Sequence, residues 1–509
     1  LFILRASFVI EGERFFVLFD DAMVSMRYAQ NLAAGHGLVW NPGGEAVEGF
    51  TNPLWVLFMA GCHLLPLPPS KICILVQLAG ILFGLGTILA VSAIVRILRP
   101  GSQHGPFVSA LFTACYYPLV FWNLSGMEVG LVAFLNAIGT VFALRALQDG
   151  RPPLGGFLVF GIATWVRPDA LVLLLVFWGY FMIVQPERRT ANALVGALAL
   201  LLFLGIQTAS RWFYFGEFLP NTYYLKMTGY PVLLRIFRGG FVFLSFLWRG
   251  NLPVFALPFL VLLLRKRVDS PLILFLVFAQ CLYSVYVGGD AWEQWGGANR
   301  YISVVIPLFF VCLALGVDDS IAFVRKVLLQ ARPQSVFHKP LYAIAVIMVL
   351  AFLNGFDGPN SLLEASLIRA PFTKENNIAN VQLARTLREV SSQEARIAVT
   401  WAGALPYFVD RPCIDLLGKN DRVVARMPAR RSASFFSFRD FLPGHNKYNY
   451  KYSIGQLEPD IVAAIRGSFD DLEPEIRARY RKAKVAGSVI LVLRGSPHVH
   501  WESLKPLED

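Results

Sequence analysis

The chain has 509 residues, a formal net charge of +12, 56% hydrophobic residues and only 16% charged ones, with a mean hydropathy of +0.54. A water-soluble protein carries about a quarter charged residues, so this composition excludes a soluble enzyme. Much of the basic excess sits in short loops between apolar runs, where it reports membrane topology rather than nucleic-acid binding.

Residues 1–14 (LFILRASFVIEGER) are too short and too charged to span a bilayer, so a first spanning helix is expected upstream or as a truncated stub. The following stretch, FFVLFDDAMVSMRYAQNLAAGHGLVWNP (15–42), sets two adjacent acids, Asp20 and Asp21, at the start of a helix. Met23, Met26, Ala29 and Ala33 recur at helical spacing, and Gly35 ends the run. One acid suits the helix N-terminus as a cap, and Arg27, two turns on, suits it as an ion-pair partner. A cap leaves the second acid without a task. A turn over VWNPGGEAVEGF (39–50) returns the chain towards the membrane and carries Glu48 back near the pair. NPLWVLFMAGCHLL (52–65) is apolar but short, and reads as a helix lying in the interface.

Candidate spans follow at 72–95, 106–122, 128–146, 154–166, 168–185, 192–210, 251–264, 271–287, 301–317 and 338–354. The first, ICILVQLAGILFGLGTILAVSAIV, exceeds the roughly 20 residues that a crossing helix needs. Residues 231–249 resemble a second interfacial helix with arginines in its apolar face. Arg96 and Arg99, Arg145 and Arg151, Arg188 and Arg189, the triplet 265–267, and Arg325 with Lys326 mark the cytoplasmic side. Alternation then puts 20–70, the surroundings of Glu128, 167–169, 211–226, 290–300 and everything after 355 outside. The outer side so collects Asp20, Asp21, Glu45, Glu48, Glu128, Asp169 and Asp290. Charges at membrane depth are paired or functional.

From residue 356 the composition turns polar. Strand-like ARIAVTWA (395–402), PDIVAAI (459–465) and GSVILVLRG (487–495) alternate with helical stretches at 378–391 and 472–482, as in a small α/β domain. The expected organisation is mainly α: a polytopic transmembrane helical part over 1–355, with its first outer loop at 20–70, and a soluble extracytoplasmic α/β domain over 356–509. Five of the six cysteines lie in apolar segments and Cys413 stands alone, so neither a disulfide framework nor metal-ligand spacing follows. No metal or cofactor is expected.

Several stretches resemble one family, in order along nearly the whole chain. FDDAMVSMRYAQNLAAGHGLVWNPGGEAVEGFTNPLW (19–55) is similar to the first outer loop of GT-C-fold, polyprenyl-phosphate-sugar-dependent membrane glycosyltransferases, closest to the mycobacterial arabinofuranosyltransferase (AftB) group. SGMEVGLVAFL (125–135), TWVRPDALVLLL (164–175), RWFYFGEFLPNTYYLK (211–226), VGGDAWE (287–293) before RYISVVIPLF (300–309), DLLGKNDRVVAR (415–426) and PGHNK (443–447) agree with it. The resemblance implies a multispan GT-C fold in a bacterial inner membrane. It also implies transfer of a sugar, arabinofuranose by closest likeness, from a polyprenyl-phosphate donor to a glycan or lipid-linked acceptor on the periplasmic face. Some members of such families use a divalent cation. The family's catalytic acid falls on Asp20 or Asp21. Glu48, Asn52, Glu128, Arg167, Asn221, Lys226, Asp290, Arg300 and His445 lie in the similar stretches as candidate substrate-binding residues.

The residue types suit that chemistry. An acceptor hydroxyl is a weak nucleophile and needs a carboxylate to take its proton, and nearby negative charge steadies an oxocarbenium-like sugar. The leaving lipid phosphate needs cations or hydrogen-bond donors, for which Lys226, Arg300 and Arg167 stand on the outer side. Single displacement gives inversion. Each candidate also has a structural reading. Lys226 can snorkel, Arg300 can anchor a span, Arg167 and Asp169 can pair around Pro168, Glu128 can cap a helix, and His445 can be a solvated loop residue. A lipid-linked-sugar flippase and a non-catalytic glycan-assembly subunit are the competing functions. A transporter would favour midplane sites and internal repeats, and neither is visible in this chain.

Overall fold

The structure, a computed structural model, describes residues 1–249, 254, 256, 271–292, 297–328, 338–429 and 435–506. The expected span at 251–264, apart from Val254 and Ala256, and the basic triplet at 265–267 lie outside the described residues.

A short hairpin, β1 (Phe8–Ile10) and β2 (Glu13–Phe15), precedes the Asp20–Ala33 helix. Phe19 is the N-cap and makes no side-chain cap bond, so neither acid caps its own helix end. Ala34 closes the helix and Gly35 follows at φ +83°, a left-handed geometry that glycine takes without strain. Arg27 is buried and gives its guanidinium to the carbonyls of Trp40 (2.6 Å), Arg411 (2.8 Å) and Pro406 and to Asn41 Oδ1 (2.9 Å). It therefore staples the first loop to the C-terminal part and does not partner the acids.

Three described helices are long and apolar enough to cross a bilayer: Pro69–Leu98, Val129–Asp149 and the continuous run Pro186–Phe215. Three bent pairs also qualify if each counts as one span. One of these, Gly105–Cys115 with Tyr117–Leu124, bends by 57° where a single span at 106–122 was expected. Pro118 removes an N–H and disfavours helix upstream of itself. Asn354 satisfies the break, accepting from Tyr117 N–H (2.8 Å) and donating to the Cys115 carbonyl (2.9 Å). The Leu154–Val166 and Ala170–Val184 helices are likewise separated at Pro168. The spans expected at 154–166 and 338–354 match helices Leu154–Val166 and His338–Asn354. Exposed Leu82, Leu89, Leu201, Phe213 and Phe278 stud the outside of the bundle, the pattern of helices that face lipid rather than water.

The bundle has two chemically distinct ends. The Pro69–Leu98 helix, about 45 Å long at 1.5 Å per residue, leads from Ser70, whose carbonyl accepts Phe16 N–H (2.9 Å), to Arg99. At the Arg99 end, Arg99 pairs with Asp319 (2.8 Å), Ser102 with Asp318 (2.7 Å) and Gln148 with the Ile97 carbonyl (3.4 Å). That end gathers the basic loops at 96–99 and 145–151. The other end gathers Asp20, Asp21, Glu128, Arg167 and Arg300, together with the C-terminal sheet.

The sheet has six strands: β3 (Ile397–Val399), β4 (Cys413–Asp415), β5 (Ile461–Val462), β6 (Tyr480–Val485), β7 (Ser488–Leu493) and β8 (Lys505–Pro506). Their order is β4-β3-β5-β7-β6-β8, with β3 parallel to β4 and β5 and the remaining pairs antiparallel. The helix expected over 472–482 stops at Arg479, and Tyr480 begins β6. Tyr480 is buried there on one face of β6, while Ala483 and Val485, two apart, are buried on the other. The Lys374–Glu389 helix packs against the Ala404–Val409 helix, which follows β3.

The Val232–Arg249 helix crosses Pro271–Tyr286 at Gly239, where an added Cβ would stand 2.1 Å from the Val285 carbonyl oxygen. Backbone cannot yield as a side-chain tip can, so Gly239→Ala is expected to force the helices apart at a cost of about 1–3 kcal/mol. Thermal unfolding in detergent should show a lowered midpoint, and an unchanged midpoint would contradict this packing.

Candidate active site

Where the Asp20–Ala33 helix meets the C-terminal sheet, a solvent-open cleft enclosing about 40 Å³ is lined by Asp20, Asp21, Lys226, Trp292, Arg300, Trp401, Lys419 and His445, among others. Four separate segments converge on it. The first loop supplies the acids and the Asn221–Met227 helix supplies Lys226. The stretch ahead of the Arg300–Ser303 helix brings Trp292 and Arg300. The C-terminal part brings the 400–402 strip, the loop after β4 and the 443–445 turn.

The two acids are treated differently. Asp21 Oδ2 accepts from Arg300 Nη1 (2.6 Å) and its Oδ1 from Lys419 Nζ (2.9 Å). Burial pushes the Asp21 carboxyl up, but Lys419, Arg300 and Lys226 together hold it well below the usual carboxylate range. Asp20 forms no salt bridge among the described residues, although the Lys419 charge reaches it and favours its anion. Its Oδ1 accepts Ala404 N–H (2.9 Å), and Gly403 packs so close that a Cβ there would lie 2.7 Å from Oδ1. Burial raises the Asp20 carboxyl to about 6, backbone N–H groups oppose the rise, and the Asp21 charge adds to it.

Arg300 is the hub. It is 7% exposed and forks onto Asp290, Nε to Oδ2 (2.6 Å) and Nη2 to Oδ1 (2.7 Å), while Nη1 holds Asp21. Its guanidinium also lies over the Trp122 ring, 5.7 Å from the centroid. Arg238 fixes the Asp290 loop by donating to the carbonyls of Gly288 (2.5 Å) and Asp290 (3.0 Å). Arg300 is therefore a buried clamp rather than an interfacial anchor.

The loop carrying Lys419 is built on Asp415, which accepts the N–H groups of Leu417 (3.0 Å), Gly418 (3.2 Å) and Asn420 (2.8 Å). Asn221 braces the same loop, donating to the carbonyls of Gly418 and Lys419 at 3.0 Å each. Asn221 thus stands behind the pocket wall and positions Lys419. Glu48 does not join the pair. It forks onto Arg211, and its carbonyl accepts Asn221 N–H (3.1 Å).

Asn52, Glu128 and Arg167 form a separate buried chain. Ser25 donates to Asn52 (3.0 Å), Asn52 to Glu128 (3.0 Å), and Arg167 to Glu128 (2.9 Å) and Asp169 (2.9 Å); Gln280 also donates to Asp169 (3.1 Å). None of these lines the pocket. They hold the acidic helix from behind, since Ser25 is one turn after Asp21. Glu128 precedes the Val129–Asp149 helix without capping it through its side chain. His445 lines the pocket with its ring near those of Trp401 (5.9 Å) and Trp292 (6.5 Å). Burial lowers its pKa to about 4, so the imidazole is neutral at pH 7.

Lys419, Trp292 and Trp401 escape a reading of single residues. Each is a lone side chain in a loop, without periodicity; the folded sheet brings Lys419 and Trp401 to the acids, and the 290 loop brings Trp292. The stretch DLLGKNDRVVAR around Lys419 was visible as a family likeness, but it gave no role to the lysine.

A family model for a domain of unknown function (DUF8728) matches residues 368–501. The chain is 29% identical over 234 residues to a terminal beta-(1->2)-arabinofuranosyltransferase of Mycobacterium tuberculosis, a match covering 42% of this chain and 33% of that protein. It is 28% identical over 203 residues to the protein of the same name from Corynebacterium glutamicum, covering 38% and 27%. The matches thus span a third or less of the length of these curated relatives. Among solved structures, ArnT from Cupriavidus metallidurans bound to undecaprenyl phosphate superposes with a TM-score of 0.52 at 13% identity, over 94% of both chains. The apo form gives 0.50 at 12%, over 93% of both. The chain therefore has the GT-C fold of ArnT, a multi-pass membrane architecture, as the sequence likeness implied.

Removing one partner of a buried ion pair strands the other. Asp290→Ala takes both fork bonds from Arg300 and leaves it only Asp21, so a loss of about 3 kcal/mol is expected. A thermal unfolding midpoint in detergent equal to that of the unmodified protein would refute the clamp.

Proposed function

We propose that this protein is an integral-membrane glycosyltransferase. It moves a sugar, arabinofuranose by the name that two curated relatives carry, from a polyprenyl-phosphate donor to a glycan or lipid-linked acceptor on the extracytoplasmic face, with inversion. The single observation that carries the reading is the unequal pair of carboxylates beside three cations. Asp20 is half-buried and salt-bridged to no cation among the described residues, with its pKa raised to about 6. That is where a base must lie to be ionised near neutrality and still hold a proton taken in the transition state. Asp21 is locked between Arg300 and Lys419 and is too stabilised as an anion to serve.

Asp20 is then the general base and Asp21 the positioning residue. As the acceptor hydroxyl oxygen bonds to the anomeric carbon, its proton passes to Asp20. The bond from that carbon to the phosphate oxygen breaks, and the leaving phosphate gains one negative charge. Lys226 has no hydrogen bond or ion pair among the described residues and faces the same pocket, so it is the cation free to receive that charge. Arg300 and Lys419 add positive potential while held by Asp21. The ArnT structure with bound undecaprenyl phosphate supports a polyprenyl-phosphate ligand for this fold. Among the described residues no group of three His, Cys, Asp or Glu side chains converges as a metal site, and the proposed step uses none.

The outer location rests on the basic loops at the far end of the bundle. Gly44→Cys is expected to react with a membrane-impermeant thiol reagent added outside, and Gly101→Cys only after the cytoplasmic side is opened. The reverse pattern overturns the sidedness.

A flippase or assembly subunit would tolerate loss of the base. Asp20→Asn is expected to cut transfer by about 10²–10⁴-fold while binding of polyprenyl phosphate persists. Asp21→Asn, which loosens Arg300 and Lys419, should weaken that binding. In the unmodified protein the rate should rise with pH through about 6, as Asp20 loses its proton. Transfer that is indifferent to Asp20→Asn would favour the competing functions.

A further inference from the structure

The cations of the pocket suit the donor phosphate and leave its aromatic residues, Trp292, Trp401 and His445, without a task. Trp401, just after β3, is 42% exposed at the pocket. Its ring centroid is 6.1 Å from that of Trp292 and 5.9 Å from that of His445.

The indole N–H groups of Trp40, Trp55, Trp122, Trp165, Trp178 and Trp501 donate to backbone carbonyls, whereas those of the exposed Trp212 and Trp248 donate to none of the described residues. The indoles of Trp292 and Trp401 donate to none of the described residues. His445 Nδ1 lies 3.3 Å from the Pro443 carbonyl, a contact that only an N–H makes. This leaves Nε2 as a free acceptor on a neutral ring. Thr400 Oγ is spent on the Ala464 carbonyl (2.9 Å). The wall thus presents a broad apolar face, two unused donors and one unused acceptor, with no net charge.

That combination fits a sugar ring. Its C–H face covers an indole and its hydroxyls meet both donors and the acceptor. A hydrocarbon chain would leave the polar atoms desolvated and unpaired, and the cations of the same pocket, Lys226, Arg300 and Lys419, are matched to the donor phosphate. The strip also lies beside the base. Trp401 is two residues before Gly403, which packs against Asp20, and three before Ala404, whose N–H binds it.

We propose that Trp401, with Trp292 and His445, forms the acceptor subsite, on which the terminal uncharged sugar of the acceptor stacks with its attacking hydroxyl turned to Asp20. This rests on the glycosyltransferase reading and assigns its second substrate a place.

The test uses the full chain in lipid nanodiscs, a synthetic polyprenyl-phosphate arabinofuranose and an arabinofuranose oligosaccharide as acceptor. Trp401→Ala is expected to raise the acceptor KM by about tenfold or more, as for a central aromatic contact, with the polyprenyl-phosphate Kd unchanged. Trp401→Phe keeps a ring and should hold KM within about threefold of the unmodified value. Oligosaccharide binding is also read directly by saturation-transfer NMR. An acceptor KM indifferent to Trp401→Ala, or equal losses in the Phe and Ala variants, overturns the subsite and spares the transferase reading. Trp401-dependent oligosaccharide binding with no sugar transfer upholds the subsite and overturns the transferase reading. No oligosaccharide binding by the unmodified protein overturns the subsite.

Discussion

The structure turns on the buried guanidinium of Arg300. It is held by a fork to Asp290 and a third bond to Asp21, and it joins two segments 279 residues apart in sequence. Lys419 completes the tie from the C-terminal part. Burying such charges is unfavourable unless each is paired and hydrogen-bonded, so the first loop, the 290 loop and the loop after β4 can adopt this arrangement only together. The pocket exists because that condition is met.

The same tie creates the asymmetry on which the chemistry depends. Two adjacent carboxylates on one helix would ordinarily titrate as near equals. Here Asp21 spends its charge on two cations, while Asp20 leans on backbone N–H groups and feels its neighbour's charge. One helix turn thereby yields an anchored anion and a basic carboxylate. Beyond them the same pocket holds both cations (Lys226, Arg300, Lys419) and uncharged aromatic residues (Trp292, Trp401), matching a substrate pair of which only one carries phosphate.

The parts of this arrangement visible in the sequence were those with a local signature. Apolar runs marked the helices, including Leu154–Val166 and His338–Asn354 to the residue, because burial in lipid imposes a long continuous pattern. The acidic doublet was conspicuous against a hydrophobic background, and the basic loops sorted the chain into two ends. Missing were features set by packing. The bend between Cys115 and Tyr117 needs Asn354 to complete it, and strand β6 begins inside a stretch whose sequence pattern reads as helical. Glu48, Asn52, Glu128, Arg167 and Asn221 share the outer end with the pocket, yet they brace it from behind. Spacing in sequence cannot tell a residue that lines a wall from one that supports it. Lys419 and Trp401 reach the acids only through the sheet.

The claim that most needs testing is that the two acids hold their protons differently. Infrared difference spectroscopy of the detergent-solubilised protein across a pH series reads carboxyl protonation directly. The account predicts a protonated-carboxyl band with a midpoint at about 6 that vanishes in Asp20→Asn and survives in Asp21→Asn. A band that persists without Asp20, or one that depends on Asp21 instead, would contradict it.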